Sequence, residues 1–263
     1  MQTDLNTANL ELNYKTFGQG DPVIILHGLF GTLDNWQTIA RQLADHFTVY
    51  IIDQRNHGRS PHTDDINFAL LAEDLRHFME SHWIYKAHLI GHSMGGKTAM
   101  QFALEHNDMV DKLVVVDIAP KAYPGGHEEI FSALTSLDLQ AIDSRQQAEV
   151  LLKRRIPEQS TLQFLLKNLS RDTDGRFEWK MNLKALYRHY PDLLSAVTGA
   201  EPFDGPTLFV RGERSPYILD EDMTEIRRLF PEATLVTVPN AGHWVHAEQP
   251  EALLGILREQ LGE

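Results

Sequence analysis

The 263-residue chain contains no cysteine. Disulfides, thiolate metal centres and a cysteine nucleophile are thereby excluded. Positive charge is also scarce: 24 Lys and Arg stand against 37 Asp and Glu, a formal net charge of −13. General nucleic-acid binding requires a basic face and does not fit that balance. No apolar run reaches the length of a membrane span; the longest are strand-sized. The first ten residues, MQTDLNTANL, hold neither a basic stretch nor an apolar one, so no secretory leader is read there and a cytoplasmic location is expected. Internal repeats and low-complexity segments are missing as well.

What is present is ample core material, 42% hydrophobic residues, enough for one α/β domain of ordinary size. Leu10–Phe17 alternates like a partly exposed strand. Val23–Leu26 is wholly apolar, as suits a parallel sheet covered on both faces. Asp34 and Asn35 can cap a helix reaching about His46, with Trp36, Ile39 and Leu43 inward. A strand over Thr48–Asp53, a helix over Asn67–His82, a strand over Ala87–Ile90, a helix to about His106 and a strand over Lys112–Asp117 follow. Strands alternating with helices predict a mostly parallel α/β sheet. The rhythm stops at Asp117 and resumes at Pro206–Val210, far beyond the dozen or so residues of an ordinary crossover. The intervening segment is helical in pattern (Glu128–Leu137, Ser144–Arg155, Leu162–Leu169, Leu183–Val197), with a short hairpin expected near Asp172-Thr173-Asp174-Gly175. Between Ile118 and Pro202 it is electrically neutral, 11 basic against 11 acidic residues, so the rest of the chain carries the whole −13. The expected organisation is therefore a core over residues 1–118, a helical cap insert over 119–202, and the core again over 203–263. A helix over Glu221–Phe230, a strand over Ala233–Val238, a loop over Pro239–His243 and a helix from Pro250 close the chain.

One stretch carries chemistry. In KAHLIGHSMGGKTAMQFAL, residues 86–104, a short apolar strand passes through Gly91-His92-Ser93-Met94-Gly95 into a helix. A sharp strand-to-helix turn holds its central residue at strained dihedrals and needs its neighbours two positions away nearly free of side chain, which Gly91 and Gly95 provide. Ser93 is left at the tip, and the helix from Met94 aims its free N–H groups at any oxyanion forming beside it. Ser93 is the expected nucleophile; a bare glycine-rich joint is the alternative.

HGLFG (27–31), DQRNHGRS (53–60), GHSMGG (91–96) and NAGHWVHAEQP (240–250) occur in an order that resembles the α/β-hydrolase superfamily, and within it the bacterial YbfF-type esterases, which are similar to acyl-CoA and short-chain ester hydrolases. The resemblance spans nearly the whole chain and is weakest in the insert. It implies an α/β-hydrolase fold and a Ser–acid–His order along the chain. His243, behind Gly242 in the last loop, fits the histidine; His246 is the rival, and His27 and His57 are read as structural, as are Asp53 and Arg55. The backbone N–H groups of Met94 and, by resemblance, Leu29 are the expected oxyanion donors. The commoner family position for the acid, after the seventh strand, is here Ser215, which cannot supply charge. Asp117, ending a buried strand beside the elbow strand, is the expected acid, also by resemblance. Glu213 is the alternative, and Asp117 as a mere turn cap is the other. Phe30, Phe131, Phe164, Tyr187, Tyr217 and Trp244 are candidates to line a substrate pocket. Lys153, Arg154 and Arg155 either meet substrate phosphates or form a solvated charge run.

The expected activity is hydrolysis of a carboxylic ester or acyl thioester, acyl-CoA included, through an acyl-enzyme on Ser93. A non-catalytic receptor using the same pocket is the competing class. A dehalogenase would need a carboxylate in place of Ser93. No cofactor is called for, and His243 with His246 alone makes no closed metal ligand set.

Overall fold

The structure, a computed structural model, describes residues 10–262; the residues before Leu10, on which the reading of the amino terminus rests, lie outside the described part. The chain runs β1 (Tyr14–Phe17), β2 (Asp21–Leu26), a 3-10 turn (Leu33–Trp36), α1 (Gln37–Leu43), β3 (Phe47–Ile52), α2 (Phe68–Ser81), β4 (Ala87–His92), α3 (Met94–Glu105) and β5 (Val110–Val116). The segment that follows holds α4 (Glu128–Ser136), α5 (Arg145–Lys153), α6 (Gln159–Leu166), the strands β6 (Leu169–Arg171) and β7 (Phe177–Trp179), α7 (Leu183–Arg188) and α8 (Tyr190–Leu194). Then come β8 (Thr207–Gly212), α9 (Met223–Leu229), β9 (Ala233–Val238), α10 (Val245–Glu248) and α11 (Pro250–Leu261).

Seven strands form one sheet in the order β1-β3-β2-β4-β5-β8-β9. Only β1 is antiparallel to its neighbour; the remaining pairs are parallel. The period-two geometry of a strand sends alternate side chains to opposite faces. Ile24 and Leu26 accordingly pack with α2, α3 and α9, while Val23 and Ile25 pack with α1 and α11. Both faces are covered, which is why the central strands are apolar throughout rather than alternating. After β2 the chain turns to β3 on one side, and β4 then returns to the other side of β2. Ligand crevices in open parallel sheets lie where strand order reverses in this way, at the carboxyl ends of the strands. The loops after β2 and β4 meet there.

Several boundaries differ from expectation. Residues 10–13 leave the ladder: Leu10 and Leu12 bury into the α2 side of the core, and Asn13 is held through its amide on Ser60 Oγ and its side chain on Asp53. The helix expected from Asp34 to His46 is a 3-10 turn followed by the shorter α1, and Asn35 accepts the Thr32 N–H ahead of it. The single helix expected over Leu183–Val197 is two, because Pro191 has no N–H and its ring clashes with the carbonyl four residues back, so α7 ends and α8 begins afresh. The hairpin near Asp172–Gly175 is β6 and β7, closed by Asp172 N–H to Arg176 O and Gly175 at φ 82°. The helices of this segment share a third apolar cluster, which also takes in Phe30, Phe68 and Met94 from the sheet side. Among the described residues, no helix is long and apolar enough to cross a membrane.

Candidate active site

The turn between β4 and α3 needs its glycines for space. A Cβ on Gly91 would lie 2.2 Å from Gly95 O, and one on Gly95 would lie 2.4 Å from Leu26 O and 2.5 Å from His27 O. With both cleared, Ser93 sits at φ 53°, ψ −121°, a conformation that non-glycine residues rarely hold. Asp117 (φ 55°) and Phe30 (φ 59°) are also in the positive-φ region. Strained backbone of this kind is concentrated at functional sites, and these three residues converge on one place.

Ser93 Oγ lies 3.0 Å from His243 Nε2, and His243 Nδ1 lies 2.7 Å from Asp117 Oδ2. With the proton on Nδ1, the ring donates to the carboxylate and presents a lone pair to the serine hydroxyl. Asp117 is fully buried, at the end of β5 next to β4. Its other oxygen accepts the Gly212 N–H at 2.9 Å, and Ser215 Oγ donates to Oδ2. A buried carboxylate needs such partners to offset its desolvation. Ser215 thus stands beside Asp117, the carboxylate that faces His243. Glu213, the alternative, points elsewhere and accepts the Asn240 N–H at 2.9 Å. The imidazole of His243 is stacked on Tyr217, centroids 4.0 Å apart and planes 19° apart.

The supporting histidines are buried and neutral. His27 donates from Nδ1 to Gly28 O (2.8 Å) and accepts the Gln54 N–H on Nε2 (3.1 Å), and burial pushes its pKa down to about 4. His57 is pushed down to about 3, first by burial and then by His27. His92 donates from Nε2 to His243 O at 2.8 Å, holding the last loop against the elbow, and burial keeps it well below the ordinary histidine range. His246 stacks on Trp36 at 4.7 Å and is lowered by burial to about 3, so the rival of His243 is a packing group. Asp53 accepts the Leu33 and Arg59 amides at 2.8 and 2.9 Å, tying the loops after β2 and β3 together, and Arg55 pairs with the buried Asp74. Gly28 approaches so closely that a Cβ there would lie 3.1 Å from Ser93 Cβ. This brings Leu29 to the serine. No acceptor among the described residues takes the Leu29 or Met94 amide.

Two largely apolar cavities, of about 240 and 300 Å³, both reach Ser93 and share Leu29, Ser93, His127 and Tyr217. The first continues along Phe30, Phe164 and Trp244; the second along Ile118, Leu193 and Leu194. Four of the six expected pocket residues, Phe30, Phe164, Tyr217 and Trp244, therefore reach a cavity. Phe131 does not: it is fully buried in the insert's core, 4.9 Å from Phe30 and 5.1 Å from Tyr190 between ring centroids. Tyr187 is 57% exposed on the outer side of Phe131. A helical apolar stripe does not tell which of its rings faces a void. The run Lys153-Arg154-Arg155 borders neither cavity, and Arg155 turns to Ser132, Ser136 and Glu129 of α4. His127 and Tyr190 were not anticipated from sequence. Gly125-Gly126 ahead of His127 marks a loop but not its destination. Among the described residues, no cluster of His, Asp and Glu is arranged to hold a metal ion.

A family model described as the alpha/beta hydrolase fold matches residues 21–250. The chain is 38% identical to Esterase YbfF of Escherichia coli strain K12 over 243 residues, covering 92% of this chain and 93% of that protein. It is 40% identical to the sn-1-specific diacylglycerol lipase ABHD11 of Mus musculus over 237 residues, 87% of this chain and 77% of the lipase. A solved structure described as a marine microorganism esterase superposes with a TM-score of 0.93 at 46% identity, covering 95% of this chain and 99% of the other. Sequence, sheet order and site geometry agree: the chain is a hydrolase and belongs to the α/β-hydrolase family.

Proposed function

We propose that the protein hydrolyses carboxylic esters or acyl thioesters through an acyl-enzyme on Ser93. The observation that supports this reading best is the continuous Ser93–His243–Asp117 hydrogen-bond chain at the meeting point of two apolar cavities. A serine hydroxyl at its ordinary pKa is a poor nucleophile and needs an adjacent base. As Ser93 Oγ attacks the scissile carbonyl, its proton passes to His243 Nε2, and buried Asp117 stabilises the imidazolium. Negative charge gathers on the carbonyl oxygen, where the Leu29 and Met94 amides receive it. The intermediate collapses, His243 returns the proton to the departing alkoxide or thiolate, and the acyl group stays on Ser93. Water, deprotonated by His243, then attacks the acyl-enzyme and releases the acid and the free serine. One cavity takes the acyl chain and the other the leaving group. The inserted segment, over residues 119–202, acts as the cap that supplies the outer walls. The relatives named esterase and diacylglycerol lipase suit acyl-ester chemistry.

The test is covalent labelling with a fluorophosphonate, read by mass spectrometry, beside a series of acyl esters and acyl-CoAs of graded length. Ser93 should carry the adduct, and Ser93→Ala should abolish both labelling and turnover while keeping the fold. An intact protein that takes no adduct at Ser93 and turns over no ester would favour a receptor instead.

A further inference from the structure

Between the two cavities stands a side chain to which neither the triad nor the oxyanion site gives a task. His127, in the loop between β5 and α4, borders both cavities together with Ser93. Its hydrogen bonds favour one tautomer. The His127 backbone N–H donates to Tyr190 Oη at 3.1 Å, and His127 Nδ1 lies 2.7 Å from the same oxygen. Tyr190 is buried, 5% exposed, and its hydroxyl hydrogen has one acceptor among the described residues, His127 Nδ1. Burial also raises the Tyr190 pKa to about 12, so the phenol keeps its proton. Nδ1 is then an acceptor, and the neutral ring carries its hydrogen on Nε2. Nε2 has no partner among the described residues, and it is not among the buried side-chain nitrogens that lack one. It is therefore open to solvent, on a ring that borders both cavities. Burial holds His127 at a pKa of about 4, so it stays neutral and does not compete with His243 as a base near pH 7.

We infer that His127, fixed as its Nε2–H tautomer by Tyr190, is a specificity-determining donor that selects substrates bearing an acceptor oxygen a few atoms from the scissile ester. This inference rests on the ester-hydrolase reading above. Cavities walled by Ile118, Leu193 and Phe164 bind hydrocarbon without distinguishing its polarity pattern. An N–H left unpaired when a bound chain expels water is penalised, whereas an ether, carbonyl or hydroxyl oxygen in reach satisfies it. The oxygen can belong to the alcohol or to the acyl part, depending on which of them passes His127.

Two isosteric substrate pairs separate these sources: n-butyl butanoate against 2-methoxyethyl butanoate, and ethyl pentanoate against ethyl 3-methoxypropanoate. For each pair the ratio of kcat/KM is divided by the ratio of hydroxide-catalysed rates, which removes the inductive effect of the ether. The wild type should favour the oxygenated member of one pair about fivefold, the range of one neutral hydrogen bond. His127→Phe should bring that ratio to about one, and His127→Gln, which restores an N–H, should recover part of it. Tyr190→Phe, which releases the tautomer, should lower the ratio too, and carries the test if His127→Phe does not fold. A wild-type ratio near one in both pairs, or a ratio unchanged in folded His127→Phe, overturns the inference. Turnover of the hydrocarbon esters and labelling of Ser93 report separately on the hydrolase reading.

Discussion

At the scale of single residues, the proposed chemistry turns on the position of Asp117. Asp117 follows β5 directly, with its side chain enclosed by Gly212, Ser215 and His243. Asp117→Asn should lower kcat on a short-chain ester by about 10⁴, the size of effect seen when the orienting acid of a serine protease is amidated. Glu213→Gln should stay near wild type, because Glu213 only braces the Asn240 amide. Ser215 stands where relatives of the commoner pattern carry the acid, and its oxygen touches Asp117. Adding a second carboxylate there should be harmful beside the first, since like charges in one buried site cannot both ionise. In the Asp117→Asn background, Ser215→Asp should instead recover part of the lost kcat. If Glu213→Gln is the crippling change and Asp117→Asn is not, Asp117 is not the acid.

Among the elements, the helices of the insert divide into rings that fill a core and rings that face a void. Phe131 of α4 is fully buried among Phe30, Tyr190 and Leu134. Phe131→Ala should cost about 3–5 kcal/mol by loss of burial plus an unfilled cavity, seen in denaturant unfolding. Phe164 of α6 lines the first cavity and lies 5.5 Å from Trp244 between ring centroids. Phe164→Ala should shift the acyl- or alcohol-length optimum of kcat/KM with a smaller loss of stability. Equal stability losses with unaltered length preference would make both rings plain core. α3 and the insert are also joined directly: the buried Lys97, one turn beyond Ser93, donates to Ser195 O at 2.6 Å just past α8.

For the molecule as a whole, buried neutral histidines contribute to the response to acid. His27, His57, His127 and His246 are lowered from the ordinary histidine range to about 4, 3, 4 and 3, in each case mainly by burial. The unfolded chain takes up protons at these sites near pH 6.5, while the folded chain resists until pH 3–4. The unfolded state therefore binds more protons between those limits, so stability falls as pH drops below about 6.5 and is unaffected by these groups above it. Thermal melts across pH 4–8 should show a Tm declining on the acid side. His246 is stacked on Trp36, and its Nδ1 has no partner among the described residues. His246→Phe should fold and flatten the acid slope; an unaltered slope would exclude His246 as a contributor.

The sequence alone determined the sheet and the turn that carries the proposed nucleophile, because both rest on local chemistry. Wholly apolar runs such as Val23–Leu26 report burial on both faces, and glycines two positions either side of Ser93 report a turn with no room for a Cβ. Resemblance to known esterases added His243, Leu29 and Asp117 to that reading. The sequence already favoured Asp117 over Glu213; because both residues follow parallel neighbouring strands, only three-dimensional placement shows that Asp117 is the carboxylate facing the imidazole. The same holds for the rings of the insert: Phe131 and Phe164 have the same spacing signal, yet one packs inward and the other faces the cavity. Helix ends in that segment answered to single residues such as Pro191 rather than to periodicity. The place of His127 beside Ser93 depends on how a long insert folds back over the sheet edge. That is a matter of contacts between residues far apart in the chain, on which local pattern carries no information.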